Sequence, residues 1–245
     1  MSLPVFWLSE LDGAVGALAT LDGPEGRHAA VVRRIGVGER IVLTDGRGLR
    51  ATGVVEATAK SGLEVRVESV ETEPVVGPTV TVVQAIPKGE RAELTVEVLT
   101  EIGVDRIVPW SASRSIGQWR GERAAKALAK WRTTAREAAK QSRRAHFPEV
   151  TDPVDLAGVV ELIATTDLAV VLHEEAEHLL AGLAIDGVDS ILMVVGPEGG
   201  VSPDEIEALT AAGAQSCRLG PTVLRTSTAG LAATAALLAR TPRWA

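Results

Sequence analysis

The fold signal of this chain is concentrated in Ile191-Leu192-Met193-Val194-Val195-Gly196-Pro197-Glu198-Gly199-Gly200-Val201-Ser202-Pro203-Asp204-Glu205. Five apolar residues with no polar alternation read as a strand covered on both faces. Ser202 then stands as a helix cap, Pro203 at the first helical position and Glu205 as the second half of a capping box. A glycine-rich loop is thereby pinned between a strand and a helix. Paired glycines let a ligand approach the backbone closely and leave amide groups free to face it. The loop fits neither G-x-x-x-x-G-K-[ST] nor G-x-G-x-x-G, so it is no standard nucleotide-phosphate motif. Taken alone, it also reads as a tight turn without a ligand.

Outward from this stretch, apolar strands alternate with helical patterns. Strands are predicted at Thr79 to Ile86, Arg106 to Trp110, Leu168 to Leu172, Ile191 to Val195 and Ser216 to Leu219. Helices are predicted near Glu90 to Ile102, Glu122 to Gln141 and Val154 to Ala164, from Pro203, and near Thr228 to Arg240. This pattern predicts an α/β domain over residues 79–245, built on a parallel sheet flanked by helices. Ligands of such sheets gather at the carboxyl ends of the strands, here the loops after Leu172, Val195 and Leu219. Earlier in the chain, Arg40 to Thr44, Arg50 to Thr58 and Gly62 to Val70 are short valine-rich strands with turn signals such as Asp45-Gly46-Arg47-Gly48. Residues 1–73 therefore read as a small β-barrel, and residues 74–78, with their two prolines and a glycine, as the linker.

Among 245 residues the net charge is −7, yet the segment from Arg114 to Arg144 holds ten cations against two acids, leaving −15 for the remainder. A helix of nearly uniform sign repels itself unless anions lie nearby, which points to a polyanion. A solvated helix face is the plainer alternative. The single cysteine, Cys217, excludes an internal disulfide and a cysteine zinc site, and a reducing cytoplasm is expected. The N-terminal stretch lacks the basic and apolar regions of a secretory signal, and no apolar run reaches the ~20 residues of a membrane span. His173 and His178 are five apart, the wrong spacing for a helical zinc pair, so no metal is expected. There is no G-x-S-x-G elbow, and with seven aromatic residues the chain lacks a base-stacking platform. The loop Leu219 to Ala229 carries one arginine, Arg225, among apolar and hydroxyl residues; it reads as a structural clamp or an anion-stabilising group, and its place at the sheet's carboxyl edge favours the second.

Three groups of residues together resemble the bacterial 16S ribosomal RNA uridine-N3 methyltransferases of the knotted SPOUT superfamily. They are Val195 to Gly200, Leu219-Gly220-Pro221 with Val223-Leu224-Arg225-Thr226, and Arg136 to Ser142 with Arg144. Lys88-Gly89, Glu101 to Val104, Ser113-Arg114-Ser115 and His28 with Arg34 add to it. The resemblance implies an N-terminal PUA-like RNA-binding β-barrel and a C-terminal domain with a trefoil knot around S-adenosylmethionine. It further implies a homodimer and a 16S rRNA or small-subunit substrate, with no membrane and no DNA as partner. Carried over, the cofactor-binding positions are Leu172, His173, Glu174, Gly196, Pro197, Glu198, Gly199, Gly200, Leu219, Gly220, Val223, Leu224 and Thr226. Arg225 would face the target base, and Arg34, Lys88, Arg91, Arg114, Arg132, Arg136, Lys140, Gln141 and Arg144 would contact RNA. Ser227 stands where the family often has glutamate, and Val98 where it often has lysine. The alternatives are a methyltransferase of the same superfamily acting on another rRNA or tRNA nucleotide, and a non-catalytic RNA-binding assembly protein.

Overall fold

A computed structural model describes residues 3–89, 91–117, 119 and 121–244. The chain separates into two compact units. One gathers the chain up to Val75 together with Ala139–Phe147, and the other gathers Val76–Ala138 with the chain from Pro148 onward.

In the first unit five strands form one sheet. They are β1 (Val5–Trp7), β2 (Leu18–Leu21), β3 (Arg40–Thr44), β4 (Leu49–Ala59) and β5 (Gly62–Thr72), in the order β1-β3-β4-β5-β2. β1 runs parallel to β3, and the other pairs are antiparallel. The predicted alternation is realised in β5, where Leu63, Val65 and Val67 are buried while Glu64 and Glu68 are exposed. The Asp45 to Gly48 turn is held by Asp45 Oδ1, which accepts from Arg47 N at 2.7 Å and Leu49 N at 3.1 Å, with Gly46 and Gly48 at φ 74° and 107°. The sequence pattern does not show β1, β2, the short helix α1 (Gly23–Arg27) or the π-helical turn His28–Val32 that follows it. Nor does it show that residues 139–147 return to this unit. There Ala145 O accepts from Gly48 N at 3.0 Å, Phe147 N donates to Gly46 O at 2.8 Å, and His146 Nε2 donates to Glu73 O at 2.7 Å.

The second unit is a seven-stranded sheet in which every pair is parallel, as expected for strands this apolar. Its strands are β6 (Thr79–Ala85), β7 (Arg106–Trp110), β8 (Glu149–Val150), β9 (Leu168–Leu172), β10 (His178–Leu179), β11 (Ser190–Val195) and β12 (Gln215–Arg218). Their order is β10-β12-β9-β11-β6-β7-β8. The helices are α2 (Arg91–Ile102), α3 (Glu122–Gln141), α4 (Leu156–Ala164), α5 (Pro203–Ala211) and α6 (Thr226–Leu238). Period-two alternation divides the core. Val80, Val82, Leu168, Val170, Ile191 and Met193 pack with residues of α2, α3 and α6. Val83, Ala85, Ala169, Val171, Leu192 and Val194 pack with residues of α4 and α5. Among the described residues no helix is long and apolar enough to cross a membrane.

Candidate active site

The strands β12, β9 and β11 are neighbours, and their register sets Cys217 opposite Leu172 and Leu172 opposite Val195. The loops that follow them leave the sheet from adjacent points on one edge. Sequence alone marked three carboxyl ends, and the strand order makes them contiguous.

The loop after β11 is shaped by its glycines. Gly200 has φ +73°, its amide donates to Pro197 O at 2.9 Å, and a Cβ on Gly196 would lie 2.6 Å from Val201 Cγ2. The predicted capping box is present, with Glu205 N donating to Ser202 Oγ at 3.3 Å and Ser202 N to Glu205 Oε2 at 2.9 Å. Glu205 is 5% exposed. Burial pushes its carboxyl up, but hydrogen bonds from the Ser113 and Ser202 amides and from hydroxyls outweigh this, so its pKa lies below the ordinary value. Glu198 Oε1 accepts from Lys88 N at 3.2 Å, which fixes the side chain of the loop's one acid. In the loop after β9, His173 N donates to Cys217 O at 2.9 Å and Arg218 Nη1 donates to Ala176 O at 3.1 Å. The loop after β12 ends at Arg225, which caps α6 through its carbonyl, accepting from Thr228 N and Ala229 N at 2.9 Å each. Among the described residues no hydrogen bond or ion pair holds its exposed guanidinium.

A cavity of about 330 Å³ opens between these loops. Leu172, Glu174, Gly196, Pro197, Glu198, Gly200, Val223, Leu224, Arg225 and Thr226 line it, ten of the fourteen positions expected from the sequence to hold the cofactor or face the base. The remaining four lie against it in adjoining hollows: His173, Leu219 and Gly220 in one that shares Leu172 and Leu224, and Gly199 in one that shares Glu174 and Gly200. A volume of this size suits a small-molecule ligand (~300–1,000 Å³). Three further residues that the sequence did not place in the cofactor pocket belong to the site. Arg91, picked only as an RNA contact, lines the cavity, and so does the buried Ser227. Gln84, fully buried near the end of β6, donates through Nε2 to Ala85 O at 3.0 Å and Thr226 O at 3.4 Å, tying the start of α6 to β6. A buried amide at a strand end is the one sequence signal that could have found it. Among the described residues no cluster of potential metal ligands occurs.

Comparison with known proteins identifies the arrangement. Residues 76–238 match the family described as RNA methyltransferase domain, and residues 21–68 match the RNA methyltransferase PUA domain. The chain is 49% identical over 233 residues to the ribosomal RNA small subunit methyltransferase E of Mycobacterium bovis, covering 94% of this chain and 89% of that protein. It is 30% identical to the protein of the same name from Bacillus subtilis, covering 89% and 88%. It belongs to the ribosomal RNA small subunit methyltransferase E family. Among solved structures, the member of this family from Neisseria gonorrhoeae, bound to S-adenosyl methionine, superposes with a TM-score of 0.88 at 29% identity over 98% of both chains. A Legionella pneumophila protein solved with bound SAM superposes at 0.90 with 30% identity, again over 98% of both.

For this family member the basic block divides into several parts. Lys140 is 6% exposed and pairs with Glu25, so its ammonium is committed inside the first unit. Arg132 donates to Val150 O and Asp152 Oδ1, both at 3.0 Å, and Lys130 pairs with Glu93. The anions that this charged helix requires thus come partly from the protein itself. Arg34, Lys88, Arg91, Arg114 and Gln141 are exposed, and Arg136 and Arg144 are half-buried. Arg34 holds a left-handed backbone at φ 55°.

Proposed function

We propose that this protein transfers the methyl group of S-adenosylmethionine to N3 of a uridine in 16S rRNA, with Arg225 stabilising the charge that forms on the uracil. The observation that carries this reading is the single cavity formed by the three adjacent strand ends, with an unengaged guanidinium at its wall. The chemistry of the wall fits the cofactor. Glycine backbone and the apolar Leu172, Val223 and Leu224 suit an adenosyl group, while Glu174 and Glu198 suit its cationic end. Bound there, the cofactor supplies an electrophilic methyl group on a sulfonium. The chain's own part is to bind, orient and stabilise charge. N3 offers a lone pair only once the imide proton is lost, and the negative charge then spreads over the uracil oxygens. A pre-set guanidinium facing those oxygens is worth ~2.7–4 kcal/mol, or ~10²–10³ in rate.

The same reading includes a PUA-like barrel in the first unit and a trefoil knot formed by the last loops of the second. It also includes a cytoplasmic homodimer with each site near the subunit contact. Val223 and Leu224, 76% and 39% exposed beside the cavity, support that contact. Arg225→Ala is the test. Cofactor affinity by calorimetry is expected to stay within a few-fold while methylation of 16S rRNA falls ~10²–10³-fold. Full turnover by the variant would remove Arg225 from the chemistry. Mass-spectrometric mapping of rRNA from a strain lacking the protein tests the target, where loss of a single uridine methyl is the expected result.

A further inference from the structure

A capping-box glutamate needs one oxygen for the amide of the capping residue. Glu205 uses both. Oε2 accepts from Ser202 N at 2.9 Å, and Oε1 accepts the shorter bond, 2.7 Å, from Ser113 N in the loop after β7. A carboxylate 5% exposed is costly unless its partners are well placed, and capping α5 accounts for only one of them. The second bond acts on the next residue. Arg114 Nη1 reaches Gly199 O at 3.4 Å, and a Cβ on Gly199 would stand 3.2 Å from both Cβ and O of Arg114. Arg114 thus lies against the glycine loop, exposed, and lines with Gly199 and Gly200 the hollow that adjoins the main cavity.

We propose that Glu205 is a positioning residue for RNA binding. Its buried carboxylate braces the Ser113-Arg114 backbone against the cofactor loop and so holds the Arg114 guanidinium at the rim, where it takes a phosphate of the RNA beside the acceptor nucleotide. This rests on the proposed rRNA methyl transfer, with the site's methyl donor and RNA meeting at one loop. Ser202 and Ser113 separate the two roles of the carboxylate, because removing the Ser202 hydroxyl weakens the cap and leaves the Ser113 bond intact.

The experiment measures affinity of the full-length protein for 16S rRNA transcribed in vitro, over a salt series, with S-adenosylmethionine affinity determined by calorimetry on the same preparations. Arg114→Ala is expected to weaken RNA binding and reduce the salt slope by ~0.7–0.9. Glu205→Gln is expected to weaken RNA binding about fivefold, keep cofactor affinity within about twofold, and add almost nothing in combination with Arg114→Ala. Ser202→Ala should lower the melting temperature and leave RNA affinity unchanged. Gly199→Ala, whose Cβ would press on Arg114 Cβ and O at 3.2 Å without touching Glu205, should also weaken RNA binding even if Glu205→Gln folds poorly. Unchanged RNA affinity in a folded Glu205→Gln, unchanged affinity in Gly199→Ala, or a Glu205→Gln loss that adds to that of Arg114→Ala, would overturn the proposal. Because affinity is measured rather than turnover, a protein that binds with this pattern and transfers no methyl group would defeat the methyl-transfer reading alone.

Discussion

Replacing Lys140 by alanine distinguishes a buried structural cation from a phosphate contact. The Lys140 side chain is 5% exposed and that of Glu25 14%, and among the described residues Glu25 Oε2 already has no hydrogen-bond partner. Deleting the ammonium strands a carboxylate in a nearly closed site, which costs about 3–5 kcal/mol. The first unit has roughly 80 residues, for which total stability is ~4–12 kcal/mol. The substitution therefore removes a large part of it, and at ~4–8 °C per kcal/mol it lowers that unit's melting temperature by at least ~12 °C. Lys140→Met combined with Glu25→Leu, which removes both charges, should recover most of the loss. Urea unfolding with hydrogen exchange at the Leu63 and Val65 amides reports on this unit separately from the parallel sheet. A stability change under ~1 kcal/mol accompanied by weaker rRNA binding would refute the argument and restore Lys140 to the RNA surface.

Further outcomes follow from individual contacts. Gly200→Ala places a side chain at φ +73°, costing ~1–2 kcal/mol, and should weaken S-adenosylmethionine binding in calorimetry while leaving the sheet's exchange protection intact. Glu205 has a folded pKa below its ordinary 4.5. Its contribution to stability is full above pH 4.5 and is lost as pH falls through the lowered folded value, so the stability gap between wild type and Glu205→Gln should narrow across that interval in acid titrations followed by circular dichroism. Cys217 is fully buried and burial raises its thiol pKa, so a maleimide should label it only after unfolding. Rapid labelling of the native protein would contradict its place in the sheet.

The parallel sheet was legible because its strands are apolar on both sides. The runs at Arg106 to Trp110 and Leu168 to Leu172 end where the apolar residues end. The capping box at Ser202 likewise fixes the start of α5 to the residue. The elements missed are those too short for a period to develop. β8 and β10 have two residues each and β1 has three, and their pairing is decided by partners distant in the chain. Strand order is lost for the same reason. Nothing local to Leu172, Val195 or Cys217 says that they share a row, yet that row brings the three loops into one site.

Side-chain roles were legible only where a residue's partners are near in sequence. Glu205 was recognisable as a cap because Ser202 is three residues away, whereas its bond to Ser113 spans 92 residues and leaves no pattern. The charge of α3 shows the same limit in reverse. Ten cations in one stretch look like a single device, and the fold separates several of the described ones by what each meets. Lys130 meets Glu93, Arg132 meets Asp152 and Lys140 meets Glu25, three acids from three other parts of the chain. Electrostatic self-repulsion along a helix can be relieved by an external polyanion or by the protein's own carboxylates, and composition cannot separate the two. Since these three cations each have a carboxylate partner in the protein, the proposed role of Arg114 predicts that the salt dependence of RNA binding comes from a smaller set that includes it. Combining Lys130→Ala and Arg132→Ala should then leave the salt slope unchanged, while Arg114→Ala alone reduces it by ~0.7–0.9.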